Sequence, residues 1–526
     1  MQTRIQNPIL KGFNPDPAIC YVDGVYYIAT STFEWFPGVQ IHASKDLVNW
    51  KVVARPLNRI SLLDMKGNPS SGGIWAPCLT YSKGKFYLIY TDVKSWDNSS
   101  PFKDSPNFLT TCDKIDGVWS DPLYMNSSGF DASLFHDDDG KIWYMNMEWD
   151  YRKEGTNRFT GIVIQEFDEE NRCLLGEVTK IYKGTSIGLV EGPHIYKVGE
   201  FYYLMTAEGG TSYEHSVTVA RSRSVLGPYQ THPNNPLVTS YEKDVYLKKA
   251  GHASMCKNNN DEWFLVHLCG RPLPGTNRCV LGRETSIQRL VWQDGWPYIA
   301  SENGPCHDPQ DFIEVEGNIA KLEKNEIKYT FDNNDFLNDF QTLRVPLGNL
   351  MTIEENPGYL RLYGRESLMS CHVQTVVARR QTDFSFEAET KFYCNPESFH
   401  HMAGLTYRYD EKNQYFFRVS FDEDDQKYSL GLLWADRGVF KLEEIGIDYY
   451  ESITLKVVVN YDKIKFYYAI KDKFVEFPGE YDSSILSDDY VEPMGFTGAF
   501  VGMQTIDMRH QKFYADFKYF NYKEIK

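Results

Sequence analysis

The sequence is short of positive charge, of clustered cysteine and of long apolar runs, and each shortage closes off a class of function. Lys and Arg total 55 against 72 Asp and Glu, a formal charge of −17. A surface of that sign repels phosphate backbones and anionic lipids, so neither nucleic acid nor a membrane is expected as a partner. No stretch approaches the roughly 18 apolar residues that cross a bilayer. The opening MQTRIQNPILKGFNPDP has no apolar run of signal-peptide length after its basic residue. Ten cysteines lie scattered, with no CxxC pair. That excludes a zinc ribbon or a disulfide scaffold and points to free thiols in a reducing cytoplasm. Helix-period apolar patterning is scarce as well.

Aromatics are abundant instead: 36 Tyr, 32 Phe and 11 Trp, the residue types that fill strands. Short aromatic runs recur as VYYIATS (Val25 to Ser31), KFYLIYT (Lys85 to Thr91), KIWYMNM (Lys141 to Met147), EFYYLMT (Glu200 to Thr206) and EWFLVHL (Glu262 to Leu268). Each follows a turn signal: Asp23-Gly24, Lys83-Gly84, Asp139-Gly140, Val198-Gly199 and Asn260-Asp261. The pattern predicts hairpins, repeated.

A short stretch precedes every one of these turns and carries a polar or aromatic residue beside a small residue or proline. The lead residues are Asp16, Trp75, Asp131, Glu191 and His252, at intervals of 59, 56, 60 and 61 residues by difference of residue number. Five units of about 60 residues predict an all-β, five-bladed propeller over residues 1–310. The innermost strand of each blade lines the central channel, so the five lead residues should converge on one axis. Three carboxyls, an imidazole and an indole would then share one cavity.

Carboxyls on a rigid ring can act as general base and general acid if their surroundings separate their pKa values. Asp16, between two prolines in FNPDPAI, sits on stiff backbone. Glu191, in LVEGPHIY, has a glycine that permits close approach, and desolvation by aromatics would favour its protonated form. Asp131, in GFDASLF, is the third carboxyl and would orient substrate and tune Glu191 while ionised. Trp75 and Phe33 are candidates for stacking on sugar faces. Arg289, in GRETSIQRL, is a candidate to pair with a carboxyl or to hold substrate hydroxyls. His252 has no HxH or HExxH partner for a transition metal. A hydrated calcium beside it is carried as an alternative, and no cofactor is required.

Pro, Gly and Asp cluster in SENGPCHDPQD (Ser301 to Asp311), and the texture then changes. Alternating strands such as FSFEAETKFY (Phe384 to Tyr393) and SITLKVVVNY (Ser452 to Tyr461) predict a β-sandwich over residues 325–526. The boundary falls near residues 306–325.

With these motifs in view, the chain resembles the family 43 glycoside hydrolases, and among them the β-xylosidases that carry a C-terminal β-sandwich of concanavalin-like jelly-roll type. The resemblance runs over nearly the whole length, through NPILKGFNPDPAICYVDGVYYIATSTFEWFPGVQIHASKDLVNW, IWAPCLTY, FDASLFHDDDGKIWYM, LVEGPHIYK, GHASM, GRETSIQRLVW, YTFDNNDFLNDFQTLRVP and FTGAFVGMQ. It implies an inverting, exo-acting hydrolase that releases D-xylose from the non-reducing ends of β-1,4-xylo-oligosaccharides. By the same resemblance Asp16 is the general base, Glu191 the general acid and Asp131 the modulating carboxylate. Phe33, Trp75, His252, Arg289 and Thr206 shape the terminal-sugar subsite, and Phe500 reaches over from the sandwich to close it. A homo-oligomer, dimer or tetramer, is also implied. One departure is the segment Ala253 to Cys256, where an acidic tract is expected. Inversion requires the two catalytic carboxyls roughly 6.5–9.5 Å apart, with room for a water. Two alternatives stay open: an α-L-arabinofuranosidase or dual-activity enzyme, which presents similar hydroxyls to one pocket, and a non-catalytic carbohydrate-binding protein.

Overall fold

The computed structural model describes every residue except 1, 98, 99, 323, 449, 472 and 493. The aromatic runs pair as hairpins through the predicted turns. At Asp23-Gly24 and Lys83-Gly84 both central residues have positive φ, the twist that suits a two-residue hairpin loop.

Five antiparallel sheets follow in chain order. Blade 1 holds Ala18–Val22, Val25–Thr30, Gln40–Ser44 and Lys51–Ala54; blade 2 holds Gly73–Ser82, Lys85–Val93, Asn107–Cys112 and Leu123–Asn126. Blade 3 holds Ser133–His136, Ile142–Trp149, Phe159–Asp168 and Cys173–Tyr182. Blade 4 begins with Glu191–Val198 and blade 5 with Lys248–Lys257. The first strands touch one another in cyclic order, 1-2-3-4-5 and back to 1. The ring therefore closes, with those strands innermost. Gln2–Gln6 pairs antiparallel with Phe312–Glu316, tying the start of the chain to the end of the propeller.

Among the described residues the second region is a sandwich of a nine-stranded sheet and an eight-stranded one, to which it contributes seven strands and the propeller the eighth. Its core alternates as the sequence does: Phe386, Ala388 and Phe392 on one strand meet Ile453, Leu455, Val457 and Val459 on the next, all fully buried. His401–Arg408, by contrast, is buried on both faces. Its second face is covered by residues 368–374 of the sandwich itself, where Met402 packs with Leu368 and Arg408 Nη1 donates to the Gln374 side chain at 2.9 Å; other strands of the eight-stranded sheet meet the propeller. Trp35–Phe36 of the propeller extends that sheet by pairing with Phe340–Leu343, and one apolar cluster joins Phe13, Phe33, Trp35 and Trp75 to Leu343, Val376, Ala378 and Phe500. All ten cysteines are free thiols.

Candidate active site

The lead residues reach the axis through local distortions of the inner strands. Asp16, Asp131 and His252 have φ of 53°, 55° and 42°, and after Trp75 and Glu191 the following residues, Ala76 and Gly192, take φ of 33° and 58°. The strand register shifts between Trp75 and Cys78, between Glu191 and His194, and at Gly251–Ala253. Such bulges re-aim a side chain that regular alternation would leave on a sheet face.

The result is a cavity of about 360 Å³ shared by Asp16, Asp131, Glu191, Phe33, Trp75 and His252. That size lies at the small end of the ligand-pocket range of about 300–1,000 Å³.

Asp16 accepts a hydrogen bond from the Ser31 hydroxyl at 2.7 Å, and Ser31 Oγ in turn accepts from the Ala76 N–H at 2.8 Å. Arg283 Nη1 donates to Asp16 Oδ1 at 2.9 Å and to Thr211 Oγ1 at 2.8 Å, while its Nη2 donates to the Phe496 carbonyl at 2.8 Å. Burial pushes the Asp16 carboxyl up, but Arg283, His252 and the Ser31 hydroxyl together bring it below its ordinary value. Glu191 responds the other way. Burial and the charge of Asp16 push it up to about 8, against the pull of Lys103 and Arg283.

Asp131 is also pushed well up, by burial and then by Glu191 and Asp16. Its Oδ2 accepts from the Gly192 N–H at 3.1 Å and lies 3.9 Å from His252 Nδ1. Asp131, expected to stay ionised beside Glu191, is thus pushed in the same direction as Glu191, toward its protonated form, with burial the larger cause in both. His252 is pushed down by burial, against the pull of Asp16.

Three residues expected at the cavity lie elsewhere. Arg289 binds Glu262 Oε1 at 2.6 Å and the Glu314 carbonyl at 3.1 Å. It stands six residues along the strand Arg283–Gln293 from Arg283, roughly 20 Å at about 3.3 Å per residue. Arg283 pairs with Gly270 at the strand end near Lys248 and His252, and is the arginine that meets Asp16. Phe500 is fully buried and stacks on Trp35 with centroids 3.7 Å apart. Phe496, four residues earlier, lines the cavity instead, packed against Trp96, Trp75 and Phe33 at 4.9, 5.4 and 6.0 Å. Thr206 is buried inside blade 4, its hydroxyl 2.7 Å from that of Thr218; Thr211 lines the cavity.

Sequence reasoning also missed Lys103, Phe130 and Trp149. The Lys103 ammonium sits over Trp75, Phe130 and Trp149 at 4.8, 4.7 and 4.7 Å, and burial pushes it down to about 8. Ser71 joins several parts of the wall. Its carbonyl accepts from Trp75 Nε1 at 2.9 Å, its Oγ from the Phe496 N–H at 3.1 Å, and its N–H donates to buried Glu34 at 3.0 Å.

Among the described residues no group of three or more His, Cys, Asp or Glu is arranged around a metal position. Of Ala253 to Cys256, Ser254 has the one side-chain oxygen, and it already bonds the Ile19 N–H and the Tyr196 hydroxyl.

A family model described as glycosyl hydrolases family 43 matches residues 5–297, and a β-xylosidase C-terminal concanavalin A-like domain matches 328–523. The chain belongs to glycosyl hydrolase family 43. A β-xylosidase of Bacillus subtilis is 47% identical over 99% of this chain and all of the relative. Xylosidase/arabinosidase 43B of Humicola insolens is 45% identical over 99% of this chain and 98% of its own. The crystal structure of a xylan β-1,4-xylosidase from Bacillus halodurans superposes with a TM-score of 0.95 at 48% identity, covering 99% of this chain and all of that one. The family 43 architecture, an all-β five-bladed propeller with a concanavalin-like sandwich, is thus the architecture of this chain.

Proposed function

We propose that this family 43 glycosidase is a xylan 1,4-β-xylosidase that removes D-xylose from the non-reducing ends of xylo-oligosaccharides, with inversion. The observation that carries the reading is one cavity in which Asp16 is held ionised while Glu191 is pushed up to about 8. That is the base-and-acid division a hydrolase needs near neutral pH.

Asp16 takes a proton from water as the water oxygen attacks the anomeric carbon. The bond from that carbon to the glycosidic oxygen breaks, its electron pair goes to the oxygen, and Glu191 delivers the proton there. Inversion follows because attack and departure occupy opposite faces of the sugar. Asp131 holds the Glu191 backbone through the Gly192 N–H, and Phe33, Trp75 and Phe496 offer aromatic surface to the terminal ring. Phe496 and Met494 of the sandwich wall one side of the cavity, which suits a chain end rather than a through-running chain. The ten free thiols suit a reducing compartment supplied with short oligosaccharides.

Xylobiose digestion followed by proton NMR tests this. The newly formed hemiacetal is expected as an initial excess of α-xylose over the equilibrium anomer ratio; an initial excess of β-xylose, or no release, refutes it. Arabinofuranosidase activity is the second reading, favoured by the 45% identity to a xylosidase/arabinosidase, and parallel kinetics on the two aryl glycosides separate them.

A further inference from the structure

We propose that the stacked pair Phe102 and Tyr151 is a binding platform for the leaving-side xylose residues that extend beyond the cavity, a proposal that rests on the xylosidase reading above. The two rings lie with centroids 5.0 Å apart and planes 23° from parallel. Both stand in solvent, Phe102 at 60% and Tyr151 at 53% exposure. Two stacked, exposed rings on the rim present one continuous flat apolar surface to solvent.

The pair is continuous with the active site. Phe102 immediately precedes Lys103, and Tyr151 follows Trp149 by two residues; Lys103 and Trp149 both line the cavity. The segments carrying the two rings are joined beneath them. Trp149 Nε1 donates to the Pro101 carbonyl at 2.9 Å, Arg158 Nη1 donates to the Ser100 carbonyl at 3.3 Å, and the Asp150 N–H donates to the Arg158 carbonyl at 2.9 Å. These bonds do not involve the two rings, so the rim keeps its shape without them.

A cavity of about 360 Å³ leaves the outer residues of a longer chain on the rim. The C–H face of a pyranose matches a flat aromatic surface, and xylose, which lacks an exocyclic hydroxymethyl group, can lie close on either face. Thr156 and Arg158, which line the cavity from the same rim segment, can reach hydroxyls of a chain passing from pocket to platform.

The test is kcat/KM for xylobiose, xylotriose and xylotetraose in the full-length protein, in Phe102→Ala/Tyr151→Ala, and in Phe102→Trp. Calorimetric titration of xylotetraose accompanies each. The wild type is expected to gain about 5- to 10-fold from xylobiose to the longer substrates, the effect of one aromatic contact. The double variant should lose that gain and bind xylotetraose correspondingly more weakly, while its xylobiose kinetics stay within about twofold. Phe102→Trp should keep the gain. An unchanged chain-length ratio and unchanged xylotetraose affinity in the double variant would overturn the platform. Failure of the wild type to cleave any of the three would overturn the xylosidase reading instead, and the titration would still decide the platform.

Discussion

Two arginines share one strand, and exchanging them for methionine separates their roles. Arg283 is almost fully buried, 2.9 Å from a buried Asp16. An opposite charge at such range lowers a carboxyl by about 1–3 pH units, worth about 1.4–4 kcal/mol. In Arg283→Met that pull is lost while the upward push of burial remains, so Asp16 moves up from its lowered position, with Ser31 and His252 still holding it down in part. Since Asp16 must be ionised to take the water proton, the acid limb of kcat/KM should move up by about 1–3 pH units. At the optimum, activity should fall by roughly 10²–10³-fold, because the variant leaves a buried carboxylate without its partner. The linkage sign agrees. A lowered carboxyl stabilises the native state at neutral pH and loses that contribution as pH falls through the ordinary carboxyl range. Arg283→Met should therefore acid-unfold at higher pH than the wild type. Arg289→Met breaks a one-third-exposed pair with Glu262, worth about 0–1 kcal/mol, and a bond to the Glu314 carbonyl, both away from the cavity, and should leave both limbs in place. Xylobiose kinetics from pH 3.5 to 9, with thermal melts as a fold control, decide the matter. An unmoved acid limb in Arg283→Met, or a moved one in Arg289→Met, would refute the reasoning.

Phe496→Ala should raise KM for xylobiose with little change in melting temperature, whereas Phe500→Ala should lower stability by about 3–5 kcal/mol, read in thermal or denaturant unfolding. Lys103 pulls Glu191 down, so Lys103→Met should move the basic limb of kcat/KM to higher pH than its wild-type position near 8. Ser71 has φ of 58°, which glycine accepts freely. Ser71→Gly thus deletes only the hydroxyl that holds the Phe496 N–H, and should raise KM about 2- to 10-fold at near-constant kcat, the worth of one hydrogen bond.

The fold was legible because its signals are local and repeated. Asp23-Gly24 and Lys83-Gly84 announce their hairpins, and a lead residue every 60 or so positions announces the blades. The convergence of Asp16, Asp131, Glu191, Trp75 and His252 came from that spacing alone. Arg283 did not, since GRETSIQRL offers two arginines and only the register against Trp263–Gly270 says which one stands at the axial end. Phe496 and Phe500 lie four residues apart, and what separates them is a tertiary contact: Trp35, brought to the sandwich by the pairing of Trp35–Phe36 with Phe340–Leu343, takes Phe500 as its stacking partner. Lys103 and Trp149 stand beyond the inner strands, at positions without a counterpart in the repeat, so no periodicity could point to them.

The strained backbone at the axis explains why lead residues rather than their neighbours carry the chemistry. A side chain in regular alternation lies on one sheet face, between blades, where an ionised carboxylate would be desolvated without partners. Turning Asp16 and Asp131 into left-handed conformation costs about 1–3 kcal/mol each, and such a conformation persists only where its surroundings hold it. Both are held: Asp16 by Ser31 and Arg283, and Asp131 by the Gly192 N–H. Gly192 is itself fixed by space, since a Cβ there would come within 3.0 Å of the His252 ring. One blade's distortion thus supplies the hydrogen bond that sustains its neighbour's, and the Asp131–Glu191 coupling is built from backbone before any proton moves. Asp131→Asn, which tolerates the same φ and still accepts from Gly192, should keep the fold and melt near wild type while losing the coupled titration. If its basic limb matched that of the wild type, Glu191 would be titrating alone.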